Sequence, residues 1–111
     1  MRCPLTLLVC FLLTACTQPG PGPCPVDVEQ LAPAVAELHL VEAFKPEVPP
    51  LVRDSVMELY HANVLEEYDL TPESFDSLTD IVRSEPVWID SLYRRVNDIL
   101  AEREALRRGG E

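Results

Sequence analysis

Among 111 residues there are only four glycines, two histidines and one tryptophan, and 9 lysines and arginines stand against 19 aspartates and glutamates. The glycines sit at positions 20, 22, 109 and 110, so no glycine-rich loop can cradle a phosphate. No Gly-x-Ser-x-Gly occurs, and Ser55, Ser74, Ser77, Ser84 and Ser91 fit helix caps or exposed helix positions, which leaves nucleophilic catalysis without support. No Cys-x-x-Cys occurs, which removes thiol redox catalysis. The net charge of -10 removes the counterion release on which most nucleic-acid binding rests, so DNA and RNA are not expected partners. No apolar run approaches the ~20 residues a membrane-spanning helix needs. What is present is a chain 47% hydrophobic, too apolar for a disordered acidic tail and long enough for one domain.

The apolar residues are unevenly placed. Met1 and Arg2 precede an apolar stretch from Leu5 to Leu13, which fits the hydrophobic region of a secretory signal. Leu13-Thr14-Ala15-Cys16 then resembles a bacterial lipobox: a leucine, two small residues and a cysteine. That resemblance implies removal of residues 1–15, diacylation of the Cys16 thiol and acylation of its new amino group. Cys3 and Cys10 would leave with the signal, and Cys24 alone would keep a free thiol, idle or available for an intermolecular disulfide. Loss of Arg2 makes the chain one unit more negative. An acidic body is repelled by anionic headgroups, so membrane attachment would rest on the acyl chains, each buried methylene contributing ~0.8 kcal/mol. Thr17 is not the aspartate of known inner-membrane retention signals, and no acid precedes Asp27. By resemblance to those sorting signals, the expectation is an outer-membrane lipoprotein facing the periplasm.

Residues 16–30 read as the lipidated cysteine and a tether. The segment from Thr17 to Val26 holds four prolines and two glycines without periodicity, and proline favours extended backbone. At ~3.1 Å per residue it would hold a domain roughly 30 Å above the surface. A proline-rich ligand for a recognition module is the sharper alternative.

Residues 31–107 carry helical spacing and no sustained alternation, which predicts an all-α domain of about four helices, followed by a flexible tail over 108–111. Leu31, Val35, Leu38 and Val41, widened by Ala34, mark a first helix ending near Phe44, with Pro33 in its first turn. Lys45 to Pro50 breaks the pattern with three prolines. Val52, Val56, Leu59, Tyr60, Val64 and Tyr68 form a second stripe. Thr71-Pro72-Glu73-Ser74 combines a capping hydroxyl, a proline for the first helical position and an early acid, so a third helix starts there with Phe75, Leu78, Ile81 and Val82 inward. Pro86 ends it and opens a fourth, whose stripe runs through Trp88, Ile89, Leu92, Tyr93, Val96, Ile99, Leu100 and Leu106. So small a domain buries only ~60% of its unfolded surface, which favours a binding surface over a deep catalytic cleft and makes pairing through the long fourth helix plausible.

Two constellations could carry chemistry. Glu58-Leu59-Tyr60-His61 is a Glu-x-x-His pattern that puts both side chains on one helix face, as di-iron bundles require, and His39-Leu40-Val41-Glu42 is its reverse. A metal site of His39, Glu42, Glu58 and His61 can be drawn if the first two helices pack antiparallel. The plainer reading leaves His39 beside the core and the acids in water, with no metal or other cofactor. Trp88, Tyr93 and Tyr68 are candidate partner anchors, since aromatics concentrate at interface hot spots; at helical spacing they also suit a core.

The segments His39-Leu40-Val41-Glu42-Ala43, Val64 to Asp76, and Leu92-Tyr93-Arg94-Arg95-Val96 resemble an uncharacterised domain of small lipoproteins from Bacteroidota and related bacteria, domain of unknown function 4296. The resemblance covers about residues 27–103. Asp69 stands where that family usually has glycine, and Glu85-Pro86-Val87 replaces a more usual Asn-Pro-Glu; both departures touch turns. The family implies a helical fold and an envelope location, and supplies no catalytic residues. The expectation is therefore a lipid-anchored, non-enzymatic module that binds an envelope protein or a second copy of itself. A chaperone-like groove for unfolded outer-membrane clients is a variant of that reading. The alternative is a metal-binding or enzymatic envelope protein using His39, Glu42, Glu58 and His61.

Overall fold

The computed structural model describes residues 20–110, so residues 1–15, Cys16 and the first part of the expected tether lie outside the described residues. Four α-helices follow one another: α1 (Val28–Phe44), α2 (Arg53–Glu67), α3 (Pro72–Arg83) and α4 (Pro86–Gly109), with a 3-10 turn over Lys45–Glu47. The expected all-α architecture is present, with no strand among the described residues. No helix among them is long and apolar enough to cross a membrane.

The α1 start differs from expectation. Asp27 adopts extended backbone and its carboxylate accepts a hydrogen bond from the Glu29 N–H at 3.0 Å, so the helix begins at Val28. Pro33 therefore lies in the second turn, where its ring removes one backbone donor. The first half of α1 is enclosed almost all round: Leu31, Ala32, Ala34, Val35 and Ala36 are all buried. A helix that is apolar on every side belongs in a core. The small alanines let α1 approach α4, its principal packing partner, closely. From α4 the buried side chains are Leu92, Val96 and Ile99.

The end of the expected tether is part of this domain, which corrects the boundary drawn at residue 30. Val26 is buried, Cys24 packs half-buried against the core, and the Trp88 indole N–H donates to the Gly22 carbonyl at 3.1 Å. Gly22 has a φ of 80°, a left-handed conformation that glycine adopts without steric cost.

Two polar pairs flank the α1–α4 seam. Arg95 donates to Glu29 at 2.9 Å, and Arg103 donates to Glu37. The bond from Glu29 raises the Arg95 pKa above its ordinary value. The bond to Glu37 does the same for Arg103, opposed by partial burial and reinforced by Tyr68 at the end of α2.

The helix ends are closed by recognisable local chemistry. After α2, the Leu70 N–H donates to the Leu65 carbonyl at 2.8 Å and the Asp69 N–H to the Glu66 carbonyl at 3.1 Å. This is a Schellman closure, and its left-handed residue is Asp69, with a φ of 57°. Leu70 and Leu65 both enter the core, so the closure also returns the chain inward. Thr71 then caps α3 reciprocally with Ser74, at 3.1 and 2.9 Å, and Pro72 takes the first helical position as expected. Pro86 opens α4, which runs to Gly109 and so occupies part of the tail expected from residue 108.

The expected stripe of α2 is the largest discrepancy. Its buried residues are Met57, Val64 and Leu65, whereas Val52, Leu59 and Tyr60 are exposed. At 100° per residue Met57 and Leu65 lie well round the helix from Val52 and Leu59, with Tyr60 and Val64 on the border between them. Of the expected stripe Val64 is buried and Tyr68 packs against the core, while Met57 and Leu65, which it did not include, complete the packing face. Leu106, expected in the α4 stripe, is also exposed, because α4 extends past its partner helices. Ile81 likewise stands outside the inward face of α3, where Thr79 and Val82 are buried.

Candidate functional site

The loop after α1 positions α2 against it. Val48 is buried, and the Arg53 guanidinium donates to the Val48 carbonyl through Nε at 3.2 Å and Nη2 at 3.0 Å. Folded back in this way, α2 leaves a cleft of about 560 Å³ between itself, α1 and α3. Leu38, Met57, Leu65 and Phe75 supply its apolar floor, and Glu42, Glu58, His61 and Asp76 its polar edge. The volume lies within the ~300–1,000 Å³ usual for binding pockets.

Within the cleft, His61 Nε2 meets Glu42 Oε1 at 2.8 Å. Both side chains are largely exposed, at 39% and 50%, so the pair stabilises the α1–α2 arrangement by at most ~1 kcal/mol. Three of the four residues considered for a metal site, Glu42, Glu58 and His61, thus share one cleft. His39 faces a second cleft of about 190 Å³ against α3 and α4, where its ring lies 6.1 Å from that of Tyr93. Among the described residues, no three His, Cys, Asp or Glu side chains are grouped so that they could hold a metal ion. The four-residue set therefore does not assemble.

The candidate aromatic anchors separate into different environments. Trp88 is half-buried on the core, with its indole N–H used by Gly22, so it serves the fold. Tyr68 is half-buried at the end of α2, beside Arg103. Tyr93 keeps 42% of its surface exposed.

The aromatics with the strongest claim to a surface role were not singled out by sequence. Phe44 and Tyr60 are exposed, their rings 6.4 Å apart, and with Leu40 and Val41 they line a shallow depression of about 310 Å³ with almost no polar wall. Val52, Val56 and Leu59 continue that face along α2 by helical spacing, and Leu51 before it is fully exposed. The signal for this face was already in the sequence: α2 carries two apolar stripes, and a single partner helix can cover only one.

The chain matches no protein-family model, no curated protein and no solved structure.

Proposed function

We propose that this chain is a lipid-anchored envelope lipoprotein whose helical domain is a non-enzymatic protein-interaction module. Anchoring is assigned to Cys16, by resemblance to the lipobox, at an outer membrane facing the periplasm. The resemblance to the small lipoproteins of Bacteroidota supports the same location. The observation that carries the binding role is the exposed apolar face of Leu40, Phe44, Leu59 and Tyr60. Scattered apolar side chains are ordinary on a protein surface, but here Leu40, Phe44 and Tyr60 line one depression shared by two packed helices, and a contiguous apolar patch of that kind marks an interaction site. The partner is an envelope protein or a second copy.

A photo-crosslinking amino acid placed at Tyr60 in the full chain, expressed in membranes, tests this reading. One discrete adduct, absent when the same probe replaces exposed Asp90 on α4, is the expected result. Equal, diffuse labelling from both positions would overturn it. Replacing Cys16 with serine should release the protein from the membrane fraction and abolish acyl labelling; retention with label intact would refute the anchor.

A further inference from the structure

The three-helix cleft differs from the apolar face in one respect, which is charge. Between residues 53 and 83, spanning α2 and α3, eight acidic residues stand against two arginines, Arg53 and Arg83. Arg53 is turned onto the Val48 carbonyl. In α4 the balance reverses, with five arginines against four acids, and the ion pairs of Glu29, Glu37, Glu102 and Glu104 are all made with arginines of that helix. The molecule therefore satisfies its α1–α4 side internally and leaves its α2–α3 side negative. At the cleft, Glu42 is engaged by His61, while Glu58 and Asp76 have no salt-bridge partner among the described residues. Those two acids come from opposite walls, α2 and α3, above the floor of Leu38, Met57, Leu65 and Phe75.

We infer that this cleft docks a basic amphipathic helix of a partner protein, with its apolar side chains on the floor and its lysine or arginine side chains reaching Glu58 and Asp76. This rests on the reading of the domain as an interaction module and adds the chemistry of the partner. A helix in a groove anchors through side chains three and four residues apart, and a cleft of about 560 Å³ accommodates two or three of them. Opposite charge at the edge would speed encounter and exclude acidic competitors. A second copy is a poorer occupant, because the free face of α2 is apolar and α3 is acidic, so neither offers cations, and α4 has already engaged four of its five arginines.

The test uses the purified full chain in neutral detergent micelles, with protein-free micelles as blank. The probe is a fluorescein-labelled synthetic helix with leucine on one face and lysine on its flanks, and its twin has glutamate in place of every lysine. Fluorescence anisotropy should give saturable binding of the lysine helix and none of the glutamate twin. The double variant Glu58→Gln/Asp76→Asn should weaken binding at least tenfold, while Glu66→Gln/Glu67→Gln, which removes equal charge from the exposed end of α2, should change it less than twofold. Far-UV circular dichroism and the unfolding midpoint verify that both variants are folded. Equal weakening by the two variants would reduce the effect to general attraction and overturn the inference, as would equal affinity for the twin, or self-association lost on Glu58→Gln/Asp76→Asn. If the cleft fails while the discrete adduct at Tyr60 persists, the module reading stands and only the cleft assignment falls.

Discussion

The two halves of α1 lie in one continuous helix and have opposite fates. From Leu31 to Ala36 the helix is buried on nearly every side, against α4 and the segment that carries Val26. From Leu38 to Phe44 it meets α2 and α3, with His39 beside Tyr93 of α4, and Leu40 and Phe44 keep about half of their surface exposed. Hydrophobicity alone does not separate the halves, since the second, apart from His39 and Glu42, is apolar too. Side-chain size and available partners do: alanines permit close approach of α4, and the bulkier Leu40 and Phe44 lie on a side that only Tyr60 of α2 reaches, and covers in part. The first half serves the fold, and the second presents a surface.

Mutation can break this comparison. Leu31→Ala, at 1% exposure, should cost about 2–5 kcal/mol by leaving a cavity in the enclosed half, read as a fall in the urea midpoint. Ala36→Leu should cost about 1–3 kcal/mol by overpacking the same region. A midpoint unmoved by both would mean that this half is not the core. Trp88→Phe keeps the ring packing but removes the donor to Gly22, for a loss of about 1 kcal/mol. It should also expose residues 20–26 to proteolysis, and resistance equal to wild type would separate that segment's packing from the indole bond.

The smallest expected effect has the opposite sign. Asp69 occupies a left-handed turn, so Asp69→Gly should stabilise by about 0.5–1 kcal/mol, raising the midpoint without changing its slope. A fall would show that the carboxylate contributes more than the backbone strain costs. Titration sharpens the seam instead of breaking it. Arg103 has its pKa raised by Glu37, so its contribution is present near neutral pH, where the carboxylate is charged, and on the alkaline side is lost only as pH rises through that raised value, above the ordinary arginine range. Raising the pH from about 7 to about 9 should leave this pair intact.

Much of the fold was legible because local chemistry dictated it. Thr71, Pro72 and Ser74 make the α3 start almost independent of context, and Pro86 separates α3 from α4. The α1 start was misread because a proline is a weaker marker than the Asp27 carboxylate, which caps the helix five residues after Gly22. The tether was read from proline content alone, and only the three-dimensional fold brings Trp88 to it. At the site, Glu58 and His61 were visible as a spaced pair, and their meeting with Glu42 depended on how α2 folds back. Asp76 carried no marker of its own, because it joins the cleft only through the turn at Asp69. The outer face of α2 was seen and assigned to the core, since an apolar stripe says that something will cover it without saying what. That error is itself informative, because a face apolar enough to imitate a core and yet uncovered is what a binding surface looks like in sequence.

The unfolding midpoint of the double variant Leu59→Ser/Tyr60→Ser tests this most directly. Leu59 is 57% exposed and Tyr60, 37% exposed, meets the Phe44 ring only at the edge of the α1–α2 contact, so the account predicts a folded domain within about 1 kcal/mol of wild type. A loss of about 2 kcal/mol or more would put those side chains in the core and contradict the division between a half that folds and a half that binds.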